Sequence, residues 1–284
     1  MKRIKIPFQI FKILEQGYHI AIAVKVNGMP AHWIIDSGAS HSVFDKARIS
    51  CFLPEFQLKE SPMMAMGLGN ELEPFLLKVS DFEIEKRKIS KYQATLLDLS
   101  PLNQIYSRYF NDPIHGVLGC DLLVKLKAKL NYKKKTIELK KEKKPMQILS
   151  IMPDSEHLMV TLKVRKQKAN MLIDTGASST IFDLNLFKQF YPYESSQLER
   201  TDQPSAGIAN DAQNFGAALI PELCIGPVKM TNYEMLLIDL EHINSLYSKL
   251  DLPPIDGLLG NDLLLKLKAS LSFKSHSLRL PFPH

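Results

Sequence analysis

The chain has 284 residues, enough for one large domain or two medium ones that each bury a core. With 45% hydrophobic and 23% charged residues, its composition is that of an ordinary globular protein, which excludes a disordered or low-complexity chain. Much of the net charge of +6 sits in one stretch, KLKAKLNYKKKTIELKKEKKP (125–145), without the interleaved aromatic and basic residues that nucleic-acid binding requires.

The first segment, MKRIKIPFQIFKILEQGYHI, starts basic, but Pro7, Gln9 and Lys12 interrupt its apolar run and no small-residue cleavage site follows. No signal peptide is expected, and no segment is long enough to span a bilayer. HIAIAVKVNGMPAHWIIDSGAS, from His19, reads as an alternating strand, a turn and a second strand whose apolar end delivers Asp36. AMGLGN (65–70) is a glycine-containing hairpin, and LNQIYSR, ending at Arg108, a short helix. In GVLGCDLLVKLKAKLNY, from Gly116, a glycine pair precedes leucines at helical spacing, with Asp121 near the positive end of the helix dipole. In KTIEL, Ile137 and Leu139 alternate with polar neighbours, which predicts a half-exposed strand running into a linker near KEKKPMQ (141–147).

The chain then repeats itself. HLMVTLKVRKQKANMLIDTGAS, from His157, lies over the first strand pair without a gap and ends on Asp174. SAGIAN (205–210) answers AMGLGN, INSLYSK answers LNQIYSR, and GLLGNDLLLKLKASLSF, from Gly257, answers the glycine pair and helix, with Asp262 in the place of Asp121. The period is far longer than that of a solenoid repeat. Two lobes of one fold are predicted, residues 1–142 and 148–284, each an all-β core with short helices.

In both copies an aspartate follows a continuous apolar strand and precedes a hydroxyl residue and a glycine. Gly38 and Gly176 permit a tight turn and the close approach of another backbone. The hydroxyls of Ser37 and Thr175 can bond backbone groups of a neighbouring loop. A pseudo-twofold between the lobes would set Asp36 against Asp174, and two carboxyls that close titrate as a unit, one raised and one lowered.

These residues resemble the aspartic peptidases, in particular the retropepsin-like branch with its bacterial members, in a fused two-lobe form. The resemblance covers nearly the whole of each lobe and implies a hydrolase that cleaves peptide bonds with a water activated between Asp36 and Asp174, without cofactor or metal. It makes Ser37, Gly38, Thr175 and Gly176 the support of the active-site loops and GVLG and GLLG the apolar floor. Gly67, Leu68, Gly69, Gly207 and Ile208 become the flaps over an extended peptide or protein substrate. Ala209 stands where the first flap has Gly69, and the helices near Tyr106 and Tyr247 are additions that could restrict the cleft. Ala39 and Ala177 occupy positions where pepsin-like relatives carry a hydroxyl able to bond the pair, so activity at mildly acidic to neutral pH is expected.

Other readings remain beside this one. The aspartates could merely shape Asx-type turns, or the fold could be kept as a peptide-binding or scaffold module with little turnover. The lysine-rich linker could let lobes pair between chains, although a monomer with an internal pseudo-dimer is expected. Cys51, Cys120 and Cys224 are odd in number and scattered, which suits reduced thiols in the cytoplasm better than disulfides. His32 and His41 align with Asn170 and Ser179, so no metal site is expected; His19 and His157 recur as structural strand residues. Met63, Met64 and Met66 could line a groove or pack a hairpin.

Overall fold

A computed structural model of the chain describes residues 4–13, 17–53, 58–60, 65–66, 71–72, 75–109, 111–139, 150–151, 157–195 and 214–281. The first half runs β1 (Ile4–Ile13), β2 (Gly17–Val26), β3 (Met29–Ile35), β4 (Val43–Asp45), β5 (Leu58–Glu60), β6 (Ala65–Met66) and β7 (Glu71–Leu72). It continues with β8 (Phe75–Ile84), β9 (Arg87–Leu97), α1 (Ser100–Tyr106), β10 (Gly116–Leu118), α2 (Cys120–Lys125), β11 (Ala128–Asn131) and β12 (Thr136–Leu139). The second half runs β13 (Ser150–Ile151), β14 (Leu158–Val164), β15 (Gln167–Ile173), β16 (Ile181–Asp183), α3 (Leu184–Phe190) and α4 (Pro192–Ser195). It ends with β17 (Asn214–Ile225), β18 (Val228–Ile238), α5 (Glu241–Lys249), β19 (Gly257–Leu259), α6 (Asn261–Lys266), β20 (Ser270–Ser272) and β21 (Ser277–Arg279).

The protein is thus all-β in class, with two lobes related by a pseudo-twofold and short helices in each. The alternation read in the sequence gives the ends of β2 and β14 one core-facing side: Val24 and Val26 are buried with Lys25 exposed between them, as are Leu162 and Val164 around Lys163. Each hairpin turns on two residues of positive φ, Asn27 and Gly28 in the first lobe and Arg165 and Lys166 in the second. That is the tight turn whose twist suits antiparallel strands. In the first core Trp33 meets Phe44 edge-on at 4.9 Å between ring centroids, and Phe44 meets Phe82 at 5.8 Å. No helix among the described residues is long and apolar enough to cross a membrane.

Among the described residues, twelve strands form one sheet in the order β21-β20-β11-β12-β1-β2-β3-β10-β4-β9-β8-β5, and seven form another, β13-β14-β15-β19-β16-β18-β17. The first sheet crosses between the halves: β11 pairs antiparallel with β20, Leu130 opposite Leu271. This corrects one expectation. β12, which lies between β11 and β1, is not half-exposed: Ile137, Glu138 and Leu139 are all buried, and Glu138, only 3% exposed, has Lys5 Nζ at 3.8 Å. Residues on both faces of the strand are buried, so the alternation of KTIEL does not mark a solvent face.

Candidate active site

Each aspartate stands at the end of a buried central strand. β3 runs parallel to β10 with Ile35 opposite Leu118, and β15 runs parallel to β19 with Ile173 opposite Leu259. The ladder continues one bond further, as the Asp36 N–H donates to the Leu118 carbonyl (3.0 Å) and the Asp174 N–H to that of Leu259 (3.1 Å). GVLG and GLLG therefore lie directly beside the strands that carry the two carboxyls.

The loops that follow interlock across the pseudo-twofold. The Ser37 N–H donates to Thr175 Oγ1 (2.8 Å) and the Thr175 N–H to Ser37 Oγ (2.9 Å). In return Ser37 Oγ donates to the Ile173 carbonyl (2.7 Å) and Thr175 Oγ1 to the Ile35 carbonyl (3.0 Å). Both hydroxyl residues are 0% exposed, so all four bonds are shielded from water. The close approach at Gly38 and Gly176 is made by the opposite aspartate's side chain rather than by backbone, and neither glycine has a positive φ.

Asp36 and Asp174 are brought within hydrogen-bonding reach of each other. Asp36 Oδ1 accepts from the N–H groups of Gly38 (2.8 Å) and Ala39 (3.0 Å), and Asp174 Oδ1 from that of Gly176 (2.7 Å). These donors fix each carboxyl in its loop. The pair is unequal in depth: Asp174 is 8% exposed, while Asp36 is only partly buried. Burial, then the neighbouring charge of Asp36 and the hydrogen bond to it, push the Asp174 carboxyl well above the usual carboxylate range, against the pull of the Gly176 and Ala177 N–H groups.

The surroundings are built from the recurring segments. Tyr106 of α1 lies in the field of Asp36, and Tyr247 of α5 in that of Asp174. Burial pushes both phenols up, Tyr247 to about 12, so neither supplies a proton at ordinary pH. Asn103 and Asn244, which the repeat keeps in register, tie these helices to the irregular segments that lead into β10 and β19. Each amide donates to and accepts from the backbone of one residue, Ile114 or Ile255, at 2.7–3.1 Å. Asp121 and Asp262 do more than meet a helix dipole. Asp121 accepts from the Ser42 hydroxyl (2.6 Å) and from Tyr92, and Asp262 from the Thr180 hydroxyl (2.7 Å) and from Tyr233 (2.8 Å). Each thereby anchors the loop after its aspartate to α2 or α6.

Residues that the repeat comparison passes over lie close by. The Tyr18 N–H donates to the Ser178 carbonyl (2.9 Å), and Asn261 bonds Tyr18, Tyr132 and Thr175. The signal for Asn261 and Tyr132 was their difference from the aligned Cys120 and Phe273 within otherwise matching blocks. Gly67, Leu68, Gly69, Gly207 and Ile208, with Met63 and Met64, lie outside the described residues. Among the described residues no three His, Cys, Asp or Glu side chains cluster as a metal would need, and no cysteine forms a disulfide. His32 sits 3.8 Å from Asp112, and His41 Nδ1 lies 3.1 Å from Ser40 Oγ.

A family model described as aspartyl protease matches the chain twice, over residues 22–122 and 160–263. No curated protein matches it. Among solved structures, EIAV protease complexed with the inhibitor HBY-793 is similar to the chain at 21% identity. The match covers 41% of this chain and 93% of that one, with a TM-score of 0.28.

Proposed function

The chain belongs to the aspartyl protease family, and on that premise we propose that it is an endopeptidase whose single active site is the pair Asp36 and Asp174. The observation that carries the reading is the reciprocal Ser37–Thr175 lock, which holds two carboxyls from opposite halves of the chain against each other. Carboxyls so placed share one proton, an effect for which aspartic proteases are themselves the reference case. Burial and the charge of Asp36 favour the neutral form of Asp174, so Asp174 holds the shared proton and Asp36 the charge.

The chemistry follows from that division. A water between the carboxyls gives a proton to Asp36 as its oxygen attacks the scissile carbonyl carbon. Asp174 passes its proton to the carbonyl oxygen, leaving a neutral gem-diol. Asp36 then protonates the amide nitrogen, the C–N bond breaks, and Asp174 recovers a proton from one hydroxyl as the new carboxyl forms. One water is consumed and the pair returns to its starting state. The substrate is read as an extended peptide added to the lobes like a strand. Because both aspartates belong to one chain, a monomer suffices.

The test is cleavage of a mixed peptide library from pH 3 to 8 by the native chain, Asp36→Asn and Asp174→Asn, each checked for folding. Loss of turnover in both variants supports the shared pair, and turnover surviving in either sinks it. An inactive native chain moves the reading to a peptide-binding module.

A further inference from the structure

The two halves of the dyad are not held alike, although the blocks around them are nearly the same in sequence. At the start of α6 the Asn261 side chain is 0% exposed. Its Nδ2 donates to the carbonyls of Thr175 (2.7 Å) and Tyr18 (3.0 Å), and its Oδ1 accepts from the Tyr132 hydroxyl (2.8 Å). Two carbonyl partners can only accept, so the amide has one orientation that satisfies all three. Thr175 belongs to the loop of Asp174, whereas Tyr18 and Tyr132 belong to the other half of the chain. Tyr18 closes the clamp from its other side by donating its N–H to Ser178, further along the same loop.

In the matching position of the first half, Cys120 reaches the Ser37 carbonyl with its thiol (3.0 Å), a weak donor. The residue aligned with Tyr132 is Phe273, which has no hydroxyl. A polar pair, Asn261 with Tyr132, thus stands on one side of the pseudo-twofold, and an apolar or weakly polar pair, Cys120 with Phe273, on the other.

We propose that Asn261 is a positioning residue for the dyad: with Tyr132 and Tyr18 it clamps the loop of Asp174 to the opposite lobe and makes the two aspartates unequal. The proposal rests on the dyad reading given above. It acts through the loop, since Asn261 bonds the main chain of Thr175, the residue after Asp174. A loop held this tightly keeps water from Asp174, in line with that carboxyl's depth and raised proton affinity. The titratable groups facing Asp174 are Asp36, Tyr132 and Tyr247, and burial raises both phenols.

The experiment uses the full chain, native and as Asn261→Cys and Tyr132→Phe, with two readouts. One is the titration of the Asp174 carboxyl followed by carbon-13 NMR. The other is kcat and KM on a peptide that the native chain cleaves. Asn261→Cys is expected to lower the Asp174 midpoint by about one unit as water reaches the carboxyl, and to lower kcat about tenfold or more with KM little changed, as a displaced catalytic group does. Tyr132→Phe, which frees the amide without removing it, should move both in the same direction by less. A purely structural role would lower the melting temperature and leave the midpoint in place. Folded variants with native midpoint and kcat overturn the proposal, as does a change confined to KM. If Asn261→Cys does not fold, Tyr132→Phe decides by the same readouts. If the native chain cleaves nothing, the endopeptidase reading fails, and the carboxyl titration alone decides this one.

Discussion

A β-carbon on Gly38 would stand 2.5 Å from Cγ of Asp174, and one on Gly176 only 2.3 Å from Cγ of Asp36. The glycine in each loop therefore makes room for the carboxyl of the other, and the two vacancies are what bring the aspartates together. Gly38→Ala and Gly176→Ala should each lower peptide turnover by about 100-fold, since a displacement of about 1 Å suffices for that. The cost in unfolding free energy should stay at about 1–3 kcal/mol, the usual range for overpacking. Turnover and urea unfolding measured on the same samples test this; an alanine variant with native turnover would show that the carboxyls need not approach.

The interlocked hydroxyls make a different prediction. Ser37→Ala removes the acceptor of the Thr175 N–H and the donor to the Ile173 carbonyl, leaving two buried groups without those bonds. A loss of about 2–4 kcal/mol is expected. Thr175→Ser keeps the hydroxyl and should cost less than about 1.5 kcal/mol. Because both residues serve one network, Ser37→Ala and Thr175→Ala combined should cost less than the sum of the singles by about 1 kcal/mol. Denaturant midpoints compared at constant slope measure the coupling.

The Asp174 carboxyl ties stability to pH with a definite sign. Its proton is held more tightly in the folded chain than in the unfolded one, so as pH rises the unfolded chain ionises first. This group's contribution to stability is therefore full below the ordinary carboxylate value and is lost as pH climbs through the raised folded value. Asp174→Asn carries no such ionisation, so it should gain on the native chain as pH increases from about 4 to 7. Unfolding curves of the two proteins at both ends of that range read the difference directly; a constant gap would refute the shift.

His19 works in the opposite direction. It is 5% exposed, meets Tyr106 edge-on at 5.6 Å between centroids, and has no hydrogen-bond partner among the described residues at either ring nitrogen. Burial pulls its proton affinity down from 6.5 to about 4. As pH falls the unfolded chain takes up the proton first, so stability is lost between 6.5 and about 4, by about 3 kcal/mol at 1.4 kcal/mol per unit. His19→Phe keeps a ring beside Tyr106 and removes the titration. Relative to this variant, the native chain should lose that amount on acidification over the same window. Equal acid sensitivity in the two would mean that His19 is already solvated or paired.

What could be read from the sequence was what the two halves share. The strand ending at Asp36 or Asp174, the hydroxyl next to it, and the leucine-spaced helices after Gly119 and Gly260 each occur twice, and duplication turned weak local patterns into a specific arrangement. What the halves do not share was hidden by the same comparison. Asn261, Tyr132 and Tyr18 meet across 129 and 243 positions of sequence, and nothing in local periodicity encodes a contact between a helix start in one lobe and a strand of the other. Glu138 failed for a related reason. Alternation distinguishes the two faces of a strand but does not report whether both are buried, and here Ile137, Glu138 and Leu139 all are. At Gly38 the sequence led to the expectation of another backbone close by, whereas the nearest group is a side chain from the far half, that of Asp174.

The pairing of β11 with β20 also orders events during synthesis. Both aspartates precede residues 261 and 270–272 in the chain, so both leave the ribosome before Asn261 and before the strand that joins the halves. Until then the growing polypeptide carries its two acids without the framework that sets them face to face. Contacts this far apart in sequence are also slow to form, because closing so large a loop precedes any gain from it. The order in which the parts of the chain are made thus sets the earliest moment at which the two carboxyls can be held face to face.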